Sequence, residues 1–557
     1  MKPVIQSIAI LILPLFFLSC NNKQMETKKE LVIGVSQDYR ATDVFSHKGF
    51  NCFVFETLVK MDTKGTIRPF LAESWKKSAD GRHYTFYLRK DVRFSDGTPL
   101  TADQVKDAMF YKQTRKRKRG PARGIQAKRP SEGYNGKEES ALKNSNPGKN
   151  SSPGIDNNYS TFDNERYNLP RWSSFSSIDI IDEHTIRFNL PRPYTLFLSE
   201  LATTHSYPVL KPAASEEVTG YIGTGPYKID VHKRTQYMIL VKNDQYWQGS
   251  VNIERIRLKV IPDAETRAIA LEAGEIDITG YDHFDKIPNE SVTRLKYLPS
   301  ITVTTMGNVE QPSVSFIAIN DKKDPFQNPA VRKALAMAID VKQIETLISE
   351  TGSVIAGPFP QKHELCNPAV NRPLFDKTAA KQLLSEAGWT DHDQDGILEK
   401  DGNPLAMTLT FSFFDPQYKI IAEMVQAQLR NIGVQVRLNM VELGTHITVM
   451  RNGEYDLAFW PLMRYHMFFY TGHPSWLNVY SNPELDASFL QYLHGNSEKE
   501  RKNAVYKTQE LIQKSYVFPV FFERFDVIAW NHDVLKDFEP LPVGWDLSMY
   551  LWKSRLM

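Results

Sequence analysis

Asp391, Asp393 and Asp395 alternate just ahead of Gly396, a close-set run of hard oxygen ligands. This is the opening of a calcium-loop pattern. That chemistry needs several oxygens and a bidentate Glu at the twelfth loop position. Gly402 stands there, and Asp401 falls one place early. The run is therefore expected to be a polar turn. Asp80, Asp96 and Asp103 are further acids that could do chemistry, yet each has a local reason to be where it is. Asp80 and Asp96 each precede a glycine between extended runs. Asp103 follows Thr101, a residue that can cap a helix beginning at Ala102. No GxSxG, HExxH or phosphate-loop pattern occurs in the chain, and spacing brings no carboxylate pair together. A hydrolase is thus disfavoured, and no catalytic residue and no cofactor are expected.

The elements that would position a site belong to a soluble globular protein. The chain has 557 residues, 41% hydrophobic and 24% charged, enough for two to four domains. A net charge of +3 gives no general case for nucleic-acid binding. Met1–Cys20 reads as an export signal: Lys2, then the apolar run Ile8–Leu18, too short for a comfortable membrane span. The run ends Phe17, Leu18, Ser19, Cys20, which resembles a lipoprotein signal whose Cys becomes the lipidated first residue, and Phe17 stands where Leu is usual. Residues 21–30 form a polar tether. If Cys20 is lipidated, Cys52 and Cys366 remain, either paired with each other or as two separate buried thiols.

The stretch Gly220–Gly249 organises the rest. Gly223 and Gly225 allow backbone angles closed to other residues. Two extended runs follow, Tyr227–Val231 and Tyr237–Val241, then Tyr246-Trp247, an alternating strand Ile253–Val260, and a helix from Ala264 capped by Asp263 and stopped by Gly274. Earlier, Phe53–Val59 is expected to be helical, and strands are expected at Tyr84–Leu88, Ile178–Ile181 and Thr185–Leu190, with a helix at Thr195–Ala202. Between them, residues 112–160 hold a basic run from Arg115 to Arg119 followed by Gly, Pro, Ser, Asn and Lys with almost no large aliphatics. Such a composition cannot bury a core and is expected to be a disordered basic insertion. Later come a strand at Val314–Asn320, helices at Pro329–Ile339, Lys377–Ala387, Ile420–Ile432 and Lys499–Tyr516, and strands at Leu405–Ser412, Val434–Val441 and Val517–Phe522.

The run IGTGPY, then YW, then VIPDAETRAIALEAGEID closely resembles the family 5 solute-binding proteins of bacterial ABC importers, which carry peptides, nickel chelates and related solutes. The block from Arg68 to Val105 resembles the family's second signature. This resemblance implies an α/β fold of the two-lobed periplasmic-binding-protein type II class, in its hinged, large three-domain variant. Lobe 1 would comprise 31–62, 187–303 and 522–557, with 63–186 as an extra domain, and lobe 2 would comprise 304–521. It further implies capture of a small molecule or peptide in the interlobe cleft, and delivery to the permease subunits and ATPases of an importer. The protein would act as a monomer on the exported face, held to the membrane through Cys20 and bound to no nucleic acid.

The resemblance also points to the ligand. Peptide-binding members pair the peptide amine with an Asp just after a DLAxW segment. Here that segment runs from Trp460 to Tyr470 and contains no acid, and a desolvated ammonium without a partner is expensive. In the nickel-chelate branch an arginine after the ELA turn grips carboxylates. His205 occupies the corresponding place, and Leu169 replaces a second arginine, so that clamp is missing. Trp172 matches a pocket tryptophan of that branch. His466 and His473 lie where the branch places a metal-contacting imidazole, a good nickel ligand. Arg464 offers a carboxylate partner instead. The candidate ligand-binding set is Trp172, His205, Trp460, Arg464, Tyr465 and His466, with His466 and His473 as candidate metal contacts. Peptide-like solute and metal chelate both stay open as cargo. So do a binding protein specific for nickel chelates, and a surface or chaperone protein that kept the fold without transport.

Overall fold

A computed structural model of the chain describes residues 29–38, 51–62, 66–118, 175–202, 207–212, 221–280, 285–306, 313–413, 415–462, 480, 482–495, 497–540 and 551–557. Its frame is two mixed sheets. The first has seven strands in the order Tyr227–Lys233, Tyr237–Lys242, Arg255–Val260, Leu31–Val35, Ile278–Thr279, Asp526–Asn531 and Ile301–Met306. The second has six, in the order Gly352–Ile355, Val520–Arg524, Ser313–Ile319, Leu457–Leu462, Ala406–Ser412 and Gln435–Val441. Helices cover both faces of the second sheet, so its strands are apolar on both sides. Ile317, Ile319, Leu457 and Phe459 sit in one core, and Phe316, Ala318, Ala458 and Trp460 sit in the other. The two-lobed α/β expectation matches this architecture.

A third unit is built on a four-stranded antiparallel sheet, Ala72–Lys77, His83–Leu88, Thr185–Asn189 and Ser177–Asp182. Its core gathers Tyr84, Phe86, Phe188 and Phe197. The ring pairs Phe86–Phe188 and Phe188–Phe197 meet at 5.5 and 5.6 Å. The helix Pro483–His494 sends Phe489 and Leu493 into this same core, although it is followed by the lobe 2 helix Glu498–Ser515.

Local chemistry explains most boundaries. Asp263, Asp340, Asp376 and Asp415 each accept a backbone N–H in the first turn of the helix they precede, as side-chain caps do. Gly433 ends the helix Pro416–Arg430 with a φ of 83°, and Gly274 follows Ala264–Glu272 with 71°. Two expectations need correction. The early helix is Asn51–Val54, not Phe53–Val59, because Glu56 leaves it to bridge Val209. The helix Ala102–Lys118 runs through the first residues of the expected basic insertion, since Lys, Arg and Gln are good helix formers. The rest of that insertion, 119–160, lies outside the described residues. Cys52 and Cys366 are separate thiols. Glu30, at the end of the expected tether, is held on lobe 1 by Arg257 at 2.6 Å and Arg255 at 3.0 Å.

Candidate functional site

The two large sheets are joined by two crossings. One leads from Met306 to Ser313. The other passes from Arg524 through Phe525 to Asp526. Strand register shows which edge of each lobe faces the other. Ser313 and Gly352 both pair with Arg524, and Val314 pairs with Leu462. Ala406–Ser412 and Gln435–Val441 run parallel to Leu457–Leu462, so the carboxyl ends of all three lie at the crossing edge. In lobe 1, Met306 pairs with Asp526 and Thr279 with Ala529, and Leu31–Val35 runs parallel to Ile278–Thr279. Its carboxyl end also faces the crossing. Ligands of open α/β sheets bind beyond the carboxyl ends of the strands. The candidate site is therefore the cleft between the two crossing edges.

Charges are concentrated at its back. Arg524 and Asp415 form a fully buried ion pair, and Arg524 Nη2 also donates to Ser313 Oγ at 3.0 Å. Asp415 doubles as the cap of Pro416–Arg430, accepting the N–H of Gln417 at 3.0 Å. Across the crossing, Lys286 Nζ donates to Asp526 at 2.9 Å. Burial, with Asp526 adding to it, pushes Glu523 up to about 7, against the pull of Lys362. Asp285 is buried too; burial raises it, Arg267 opposes this, and its Oδ1 accepts the N–H of Ser36 at 2.5 Å. Asn289 of lobe 1 accepts from the N–H of Glu350 and from Thr351 Oγ1 of lobe 2, at 3.1 and 3.3 Å. These contacts fix the hinge side of the cleft.

The glycine signature serves the frame rather than the cleft. Glu56 is buried and accepts from Trp247 Nε1 at 2.8 Å, Thr224 Oγ1 at 2.9 Å, Tyr246 OH at 3.0 Å and Gln248 Nε2 at 3.4 Å. Burial still pushes its carboxyl from 4.5 up to about 7. A Cβ on Gly223 would lie 1.9 Å from the carbonyl oxygen of Val54, and one on Gly225 would lie 2.7 Å from that of Phe53. The motif is thus a close backbone approach sealed by a hydrogen-bonded carboxylate.

Of the sequence-derived site residues, Trp460 is described. It is 2% exposed, lies in the lobe 2 core beside Phe316 and Phe521, and its ring meets that of His446 edge-on at 5.0 Å. Trp172, His205, Arg464, Tyr465, His466, His473 and the lipidation candidate Cys20 lie outside the described residues. The acidic run at 391–396 forms a polar turn. Gly396, Asp395 and Ile397 donate their N–H groups to Asp391, Asp393 and Asp395 at 3.1, 3.1 and 2.6 Å. These three exposed carboxylates lie within 4.8 Å of one another. Asp80 and Asp96 accept from Ser78 and Thr98 within their own turns. Sequence reasoning missed Glu56, the Arg524–Asp415 pair and His446. Glu56 carries no local signal, because its partners are distant in sequence, and Asp415 shows locally as a helix cap while its partner Arg524 lies 109 residues away. His446 falls on the helix Leu443–Asn452, whose mixed composition gives little periodicity.

Comparison with known proteins agrees with this geometry. Residues 66–480 match the family model described as bacterial extracellular solute-binding proteins, family 5 middle. The nickel-binding periplasmic protein of Escherichia coli K12 is 29% identical over 415 residues, 73% of this chain and 69% of that one. A probable D,D-dipeptide-binding periplasmic protein of the same organism is 25% identical over 508 residues, 86% of this chain and 84% of its own. Among solved structures, NikA from Brucella suis in complex with Fe(III)-EDTA superposes with a TM-score of 0.76 at 26% identity, covering 95% of this chain and all of that one. The oligopeptide-binding protein AppA from Bacillus subtilis in complex with a nonapeptide, 22% identical, shares the fold with a TM-score of 0.71 over 95% of this chain and 99% of its own. Among the described residues no helix is long and apolar enough to cross a membrane. The chain belongs to the family 5 bacterial extracellular solute-binding proteins, a family of solute-binding transport proteins rather than enzymes.

Proposed function

We propose that this protein captures a peptide-like solute or a metal chelate between its lobes and hands it, chemically unchanged, to the permease subunits of an ABC importer. The observation that carries this reading is the pair of crossings, 306 to 313 and 524 to 526, with strand carboxyl ends converging from both sides. Lobes joined this way close about a hinge, and closure gives a permease a distinct shape to engage. The relatives leave both cargo classes in play, since their names cover nickel and dipeptides. The acid-free segment 460–470 weighs against the usual amine anchor of α-peptides. In this reading 31–62, 187–303 and 522–557 form lobe 1, 63–186 its extra domain and 304–521 lobe 2, with the sheet and core of the extra domain running on past 186 through Asn189 to Phe197. The proposed cargo contacts are Trp172, His205, Arg464, Tyr465 and His466, with His466 and His473 as the proposed metal contacts, and Trp460, 2% exposed in the lobe 2 core, leaves the set. The monomer is tethered to the exported face of the membrane through lipidated Cys20.

Small-angle scattering with a panel of dipeptides, oligopeptides and nickel chelates tests the reading. One class is expected to shrink the radius of gyration at micromolar concentration. Dimensions unmoved by every cargo, or turnover of any of them, would refute it. Cys20→Ala is expected to move the protein to the soluble fraction.

A further inference from the structure

A recess opens in lobe 2 among Ile355, Val370, Ile512, Phe518 and Phe521, with Arg372 in its wall. Its empty volume is about 410 Å³, the open mouth included. Strand register places it away from the cleft. Gly352 pairs with Arg524 at the crossing, whereas Ile355 pairs with Phe521 at the other end of the strand Gly352–Ile355, and Phe518 lies farther on. The five apolar residues are each 8% exposed or less. Two glutamines of the wall have their amides committed: Gln509 Nε2 donates to the carbonyl of Leu365 at 2.7 Å, and Gln513 Nε2 donates to that of Asn371. Arg372 does not. Its Nη1 is buried and has no hydrogen-bond partner. Buried polar atoms are nearly always paired, so such a group calls for an explanation. An apolar recess with a few convergent polar groups is the usual build of a small-ligand site.

The complement of this wall is an anion with an apolar tail. A guanidinium matches a carboxylate as a two-pronged partner. The helix Glu498–Ser515 brings its carboxyl end to the recess through Ile512 and Gln513, and the partial negative charge there disfavours a dianion. Past the rim Leu374 and Phe375 are 84% and 41% exposed, apolar surface that a tail leaving the recess would cover. We infer that the recess is a second ligand site, taking a small monocarboxylate whose charge meets Arg372 and whose apolar tail lies among Ile355, Val370 and Phe521. The site goes beyond the cargo reading and stands whichever solute the cleft takes.

Calorimetric titration of the full exported chain with hexanoate tests this, against acetate, 1-hexanol and inorganic phosphate. Wild type is expected to bind hexanoate. Acetate lacks the tail and hexanol the charge, so each is expected to bind about 10-fold more weakly or worse, and phosphate not at all. Arg372→Met keeps an apolar stem and is expected to weaken hexanoate by about 10-fold or more, the order of a lost charged hydrogen bond. Gly357→Leu fills the recess from its rim. A Cβ there meets only Val370 Cγ1, at 3.7 Å, so this variant is expected to melt as wild type does and to lose hexanoate, and it carries the test if Arg372→Met does not fold. A wild type that ignores hexanoate, or takes phosphate as well as hexanoate, overturns the inference. So does Gly357→Leu with full affinity, since the acid then sits elsewhere, the cleft included. Arg372→Met with a lowered melting temperature and unchanged affinity overturns it too, because Arg372 then serves only the helix end.

Discussion

A carboxylate taken out of water needs donors, and Glu56 has four of them, reaching it from Thr224, Tyr246, Trp247 and Gln248. Truncating it takes the acceptor from buried Thr224 and Tyr246 and from half-buried Trp247, while Gln248 keeps the hydroxyl of Tyr246. Glu56→Ala is therefore expected to cost about 3 kcal/mol or more, at roughly 1–3 kcal/mol per stranded group, read from chemical denaturation. Its titration adds a second observable. The folded carboxyl, pushed up to about 7 from 4.5, holds its proton more tightly than the unfolded one, so stability is highest below pH 4.5 and falls as pH rises to about 7. Glu56→Gln is expected to remove its share of that slope, while Glu523, also raised to about 7, keeps its own. Gly223→Ala fails for a different reason: the new methyl would meet a backbone oxygen at 1.9 Å, so loss of the folded protein on expression is the expected outcome. The glycine pattern was legible as a place of special geometry. Its cause was not, because Val54 and Glu56 lie far away along the chain.

At the scale of elements, two caps of the same type separate what a cap contributes from what a hinge contributes. Asp376 accepts the N–H of Ala379 at 2.9 Å from the surface of the helix Lys377–Glu386. Asp415 does the same for Pro416–Arg430 but also neutralises fully buried Arg524. Asp376→Ala is expected to cost about 1 kcal/mol, the usual value of a cap. Asp415→Ala is expected to cost about 3–5 kcal/mol, since it strands a buried charge. Equal losses in urea titrations would mean that Arg524 finds another partner. Strands were the most readable elements, because Tyr237–Lys242 and Arg255–Val260 follow the two-residue period or a solid apolar run. Helices at Val341–Ile348, Leu443–Asn452 and Pro483–His494 escaped notice. Val341–Ile348 carries Val341, Ile344, Leu347 and Ile348 at helical spacing behind the cap Asp340, a legible pattern, whereas Leu443–Asn452 buries His446 and Met450 and leaves little to read. The same weakness hid His446.

For the whole molecule, among the described residues the lobes meet at the hinge and again away from it. The second contact is made by the helix Pro483–His494. It is tied to lobe 2 through Lys507–Glu484 at 2.9 Å and Gln491–Glu500 at 3.1 Å. It also reaches the extra domain. Phe489 and Leu493, 2% and 5% exposed, enter the core built on Phe188 and Phe197, and the carbonyl of Leu493 accepts from Thr195 Oγ1 at 3.3 Å. His494 Nδ1 donates to the carbonyl of Pro193 at 3.1 Å. When a hinged pair of lobes opens, a bridge of this kind either parts or moves with one side. Its hydrogen bonds to the extra domain are few, whereas those holding Glu498–Ser515 to lobe 2 include Gln509 to Leu365 and Arg332 to Ser515. Parting at the Phe489 contact is thus the expected motion, and burial of that ring then contributes to closure rather than to the fold of either lobe. Phe489→Ala removes about 3 kcal/mol of core packing. If that energy is present in the closed form alone, cargo affinity falls about 100-fold while the ligand-free melting temperature barely moves. A lowered melting temperature with unchanged affinity would instead mean that the helix stays with the extra domain throughout, and that the lobes pivot at Gly495.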